Sequence, residues 1–143
     1  MKPQIDILKN ELLIPSSTDF LADVRNFVEM IGLRIGLENQ TIAHIKLAVD
    51  EACTNIIKHA YNGSIDKNIK IRIDTSPKKF TVIIRDNGKS FDPELISEPN
   101  IEESQKMKKG GGLGMFLMKK LMDEVKYKTN SAGNELLLIK HLN

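Results

Sequence analysis

Tryptophan is absent from this 143-residue chain, and tyrosine occurs only twice. So few aromatic rings cannot build a base-stacking platform, and a formal net charge of +2 supplies no basic surface for nucleic-acid phosphates. Direct nucleic-acid binding is therefore not expected. Cysteine is present once, as Cys53, so no internal disulfide can form. That favours a reducing, cytoplasmic setting. Long apolar runs are missing too: the start, MKPQIDILKN, has no apolar signal core, and no stretch approaches membrane-spanning length. With 41% hydrophobic and 28% charged residues the composition is globular, and the expectation is one soluble domain over residues 1–143.

What is present is a mixture of two periods. ELLIPSS ends a short strand, after which Ser17, Thr18 or Asp19 can cap a helix running to about Gly32. A second helix starts near Asn39 and runs to a stop at Tyr61–Ser64. Its apolar stripe is Ile42, Ile45, Val49, Ala52, Ile56 and Ala60, at spacings of three and four. NIKIRID and FTVIIRD alternate apolar and polar residues, as half-buried strands do. Residues 94–109 are polar and show no period. A third helix follows the glycine run, and VKYKTN and ELLLIKHL, joined by a turn at Ala132-Gly133, make a closing hairpin. Two antiparallel pairs with three helices predict an α+β layer with the helices on one sheet face.

The stretch KGGGLGMFLMKKLMDE, residues 109–124, sets three glycines in a row and a fourth two places on, directly before an amphipathic helix. Glycine weakens helices, so the run needs a reason. A P-loop would follow its last glycine with Lys-Ser/Thr, but Gly114 is followed by Met115 and Phe116. A dinucleotide fingerprint would place G-x-G-x-x-G after a strand, and here the third glycine is missing and the preceding segment is a loop. What survives is the physical requirement: bare backbone amides at a helix start attract an anion, and Lys106, Lys108 and Lys109 add positive charge beside them. A flexible hinge is the bland alternative.

Two further stretches favour the anion. On the second helix Glu51 and Asn55 are four residues apart and share a face away from the apolar stripe, with Leu47 and Ala48 as neighbours. A carboxylate there can act as a base toward water or a hydroxyl, and an amide oxygen can ligate Mg²⁺ without adding charge. In IIRDNGKSFDP a strand ends at Asp86, with Gly88 two places on. Such a turn is a common way to leave a strand. It also suits base recognition: the carboxylate can accept from the exocyclic amine of adenine, where guanine would present a carbonyl, and glycine lets the purine approach. Cys53 reads as a small core residue, Met107, Met115, Met118 and Met122 read as core or lid packing, and His44, His59 and His141 are too scattered for a metal site.

DEACTNIIKHAY, DNGKSFDP and GGGLGMFLMKKLMDE, in that order, resemble the N, G1 and G2 boxes of the GHKL ATPases. The small size and the residues around the boxes are most similar to the bacterial anti-sigma-factor serine/threonine kinases. The resemblance implies a Bergerat fold: an α+β two-layer sandwich with a mixed, mostly antiparallel sheet, helices on one face, and ATP held on the helical side. It implies Glu51 as general base, Asn55 as Mg²⁺ ligand, Asp86 as adenine reader and Gly88 as the shaper of its pocket. Gly110, Gly111, Gly112 and Gly114 would admit the phosphates, Leu113 and Met115 would lend backbone amides, Lys58 and His59 would be phosphate neighbours, and residues 94–109 would form a lid. Relatives often carry Gly-Thr in the closing hairpin, whose hydroxyl assists adenine binding. Here Gly133 is followed by Asn134 and Glu135, a departure that touches that contact and not the site as a whole.

The function implied is an ATP- and Mg²⁺-dependent serine/threonine protein kinase that phosphorylates an anti-anti-sigma-type partner and binds a sigma factor. The alternative is a nucleotide-gated module that sequesters a partner without phosphoryl transfer. Retention of Glu51 favours the kinase, because a pure binder has no use for a base there. A homodimer is left open.

Overall fold

The computed structural model describes residues 2–90 and 112–143. The stretch expected as a lid, 94–109, lies outside the described residues, as do Gly110 and Gly111. Six strands form one sheet: β1 (Gln4–Asp6), β2 (Glu11–Pro15), β3 (Asn68–Thr75), β4 (Lys79–Asp86), β5 (Glu124–Asn130) and β6 (Gly133–His141). Their spatial order is β1-β2-β3-β4-β6-β5, and all five neighbouring pairs run antiparallel. The α+β sandwich expected from the sequence is what forms, its mostly antiparallel sheet being antiparallel at every described pair.

Strand alternation decides which face is covered. Ile69, Ile71 and Ile73 of β3, Phe80, Val82 and Ile84 of β4, and Leu136 and Leu138 of β6 are all buried. They lie in rows, with Ile71 opposite Ile84 and Ile84 opposite Leu136. Onto this face pack α1 (Leu21–Arg34), α2 (Asn39–Asn55) and α3 (Gly112–Leu121). Every member of the stripe read from the sequence, from Ile42 to Ala60, is buried, and Met115, Met118 and Met122 join the same core. Each of the larger of these side chains contributes about 1.5–3 kcal/mol when fully withdrawn from water. The opposite face carries exposed Lys70, Arg72, Arg85, Lys126 and Lys128. Among the described residues, no helix is long and apolar enough to cross a membrane.

Three local features differ from the sequence reading. Ser17 does cap, accepting from Asp19 N at 3.2 Å, but it caps a 3-10 turn (Thr18–Phe20) placed ahead of α1. Gly32 is no helix stop: a methyl group on it would sit 2.8 Å from Ile42 Cγ1, so this glycine lets α1 and α2 touch. The stop is Gly36, at φ +83°, where Leu37 N donates to Gly32 O and Gly36 N to Leu33 O, closing the helix end. Finally, α-helical bonding in the second helix ends at Asn55. Ile56–Ala60 form a π-helical turn in which Tyr61 N donates to Ile56 O at 2.8 Å. Extra residues inserted into a helix in this way recur at functional sites.

Candidate active site

Glu51 and Asn55 lie one turn apart on α2, Glu51 half-buried and Asn55 only 6% exposed. Both meet the first turn of α3. A methyl group on Gly114 would stand 2.7 Å from Asn55 Nδ2, 3.2 Å from Asn55 Oδ1 and 3.1 Å from Glu51 Oε2. Only a bare backbone fits so close to both side chains. Asn55 Nδ2 is buried with no hydrogen-bond partner among the described residues. Such an unmet group costs about 1–3 kcal/mol, so it marks a place where a group beyond the described residues completes the bonding. With no partner for Nδ2 among the described residues, the amide can present either end. Its oxygen suits a hard cation such as Mg²⁺, and the α3 start beside it suits phosphate.

The second half of the site is built by β4. The alternation that buries Phe80, Val82 and Ile84 also turns Asp86 to the helical face, where it is 5% exposed. Its Oδ1 accepts from Gly88 N at 2.8 Å and from Asn134 Nδ2 at 2.9 Å, while none of the described residues donates to Oδ2. Burial pushes the Asp86 carboxyl above its ordinary range, and the Asn134 and Gly88 donors pull it part of the way back.

The end of α2 joins the two halves. A methyl group on Gly88 would collide with the Ala60 carbonyl, and Lys89 N donates to that same carbonyl at 2.8 Å. Tyr61 Oη donates to Asn68 O at 2.6 Å and accepts from Asn87 N at 2.9 Å. The loop after β4 is thereby fastened to the π-helical turn. That turn belongs to the same helix that presents Glu51 and Asn55 to Gly114.

Of the residues singled out in the sequence, Glu51, Asn55 and Gly114 come together, and Asp86 and Gly88 form the neighbouring cluster. Gly112 and Leu113 open α3. The Met115 side chain is buried in the core, so only its backbone is left for a ligand. Lys58 and His59 are exposed on the π-helical turn and share no bond with these residues. Two contributors were missed, Tyr61, which looked like a mere helix stop, and Thr129, which looked like a hairpin residue, while Asn134 was marked only as a departure from Gly-Thr. The signal for Asn134 was its place after Gly133, in phase with the buried Leu136 and Leu138. Gly133 itself has φ +130°, and a methyl group there would come within 2.6 Å of Asp86 O.

The profile of the histidine kinase-like ATPase domain matches residues 14–140. The chain belongs to that family. This histidine kinase-like ATPase is 34% identical to serine-protein kinase RsbW of Bacillus velezensis, over 100% of the chain and 90% of the relative. It is also 34% identical to serine-protein kinase RsbW of Listeria innocua, over 94% and 88%, and 32% identical to that of Bacillus subtilis, over 100% and 90%. Membership of an ATPase family makes ATP the nucleotide. A shallow pocket on the uncovered sheet face, lined by Leu13, Asn68, Lys70 and Arg85, also reaches Asp86 and Asn87, but it includes no residue of α2.

Proposed function

We propose that the chain is a single ATP-binding domain acting as a Mg²⁺-dependent serine/threonine protein kinase and anti-sigma regulatory factor, with an anti-anti-sigma-type protein as its substrate. The observation that carries this reading is the convergence on Gly114 of Glu51 and of the Asn55 amide, whose Nδ2 has no partner among the described residues. Asn55 is the residue that would hold Mg²⁺, whose contribution is to offset phosphate charge. The amides opening α3 would face the phosphates, Gly88 would leave room for the purine, and Asp86 Oδ2 would accept from its amine. Glu51 takes the proton of the acceptor serine or threonine hydroxyl as that oxygen bonds to the γ-phosphorus, and ADP leaves with the electrons of the broken β–γ bond. The similarity to three proteins named serine-protein kinase supports a protein hydroxyl as the acceptor.

Glu51→Gln keeps the shape and removes the base. ATP affinity should stay within a few-fold, because adenine and phosphates are assigned to other groups. A positioned general base contributes on the order of 10²–10⁴-fold, so transfer of label from ATP to a co-expressed anti-anti-sigma-type protein should fall by about that factor. Transfer at the wild-type rate would rule out this mechanism. If the wild type transfers no phosphate yet grips its partner in an ATP-dependent way, the chain is a nucleotide-gated binding module.

A further inference from the structure

Asp86, Asn134 and Thr129 occupy one row across three strands, Asp86 opposite Asn134 and Asn134 opposite Thr129. Hydrogen bonds run along the row. Thr129 Oγ1 donates to Asn134 Oδ1 at 2.7 Å, and Asn134 Nδ2 donates to both Asp86 Oδ1 and Gly88 O, each at 2.9 Å. The Asp86 carboxylate and the Gly88 carbonyl, both acceptors, fix which end of the Asn134 amide faces Asp86, and the Thr129 hydroxyl satisfies the oxygen at the other end. A reversed amide would set its oxygen against a carboxylate and a carbonyl, two contacts between acceptors. Asn134 is 3% exposed and both of its N–H groups are used, so it has no donor left for a ligand. Asp86 Oδ1 is likewise taken by two donors, leaving Oδ2 as the oxygen without a partner among the described residues.

We infer that Asn134, its amide oxygen satisfied by Thr129, is a positioning residue that holds Asp86 with Oδ2 turned to accept from the 6-amino group of the bound purine. The inference rests on Asp86 as the reader of the base, as proposed above. It makes nucleotide selection a property of the whole row rather than of one carboxylate. A fully satisfied buried network holds one arrangement. Truncating Asn134 leaves Gly88 O without its donor and Asp86 Oδ1 with one donor in place of two. The carboxyl can then turn about χ2, whose well is broad, and both oxygens spread over several orientations.

The test is titration of the full chain, with Mg²⁺, by ATP and by purine riboside 5′-triphosphate, which is ATP lacking the 6-amino group. The wild type should prefer ATP by on the order of 10- to 100-fold, the range for a hydrogen bond to a charged group. In Asn134→Ala, ATP affinity should drop about 10-fold while affinity for the analogue stays unchanged, so the preference shrinks. Thr129→Val removes only a hydroxyl at an exposed position, and should shrink the preference about 3-fold with folding intact. If Asn134→Ala does not fold, Thr129→Val decides alone. Equal losses for both nucleotides, or an unchanged preference, would overturn the inference while the wild-type preference upholds Asp86. A wild type that binds both nucleotides equally removes the reading of Asp86, and the inference with it.

Discussion

Asp86 is nearly buried, and yet the role proposed for it, accepting from a base amine, is best served by its charged form. Its carboxyl is raised, chiefly by burial. A raised folded-state value means that the protonated form is favoured by folding. The resulting stability is complete below the ordinary carboxylate range and is lost as pH rises through the raised value. At neutral pH the charge therefore opposes folding, while nucleotide affinity should weaken as pH falls through that same value. Asp86→Asn separates the two effects. Its stable orientation directs the amide oxygen to the Gly88 and Asn134 donors, which leaves an NH₂ facing the amine of the base, donor against donor. The expected outcome is a melting temperature no lower than wild type, together with a loss of ATP affinity of about 10-fold or more. Thermal melting and calorimetric titration of the same sample check both; a variant that melts lower and binds ATP normally contradicts this account.

At the scale of elements, the end of α2 is where the proposed site is concentrated. One face of the helix meets Gly114, and the π-helical turn that follows meets Gly88 and carries Tyr61. Gly114→Ala probes this junction. Alanine in place of glycine within a helix is worth about 1 kcal/mol in favour of folding, but the new methyl group displaces the Asn55 amide from 2.7 Å. Net stability should shift by less than about 1 kcal/mol, while ATP affinity falls at least about 10-fold through the misplaced Asn55 and Glu51. Denaturant midpoints and titration measure the two; wild-type affinity would show that the close approach is incidental. Much of this junction was legible in the sequence. The spacing of Ile42 through Ala60 gave the buried stripe, and it left Glu51 and Asn55 together on another face. The π-helical turn was not legible, because Ile56 and Ala60 keep an α-helical spacing whether or not an extra residue enters the hydrogen-bond ladder. Strand β1 was missed because three exposed residues are too few to show a period. The role of Asn134 was hidden for another reason: its partner Asp86 lies 48 residues away, and only the strand register brings them together.

For the molecule as a whole, Cys53 offers a probe of how the fold opens. It is fully buried on α2, and burial, with the Asp50 charge adding to it, pushes its thiol up to about 12. The reactive thiolate is thus suppressed twice, by access and by ionisation. A disulfide reagent should leave the native protein untouched at neutral pH and react fully in concentrated urea. If the opening that exposes Cys53 also destroys the ATP site, ATP at 100 times its Kd should slow the reaction about 100-fold. Rapid labelling of the native protein would mean that α2 opens locally. The edges of the sheet are guarded in a similar spirit, with β1 only three residues long and β5 bearing exposed Lys126 and Lys128. The row from Asp86 through Asn134 to Thr129 also spreads the effect of a change beyond its own position. Exchanging Asn134 for a short hydroxyl residue would remove the reach to Gly88 O and the acceptor of Thr129 in the same step. Altering either position alone is thus felt at a third residue, Asp86, two strands away from Thr129.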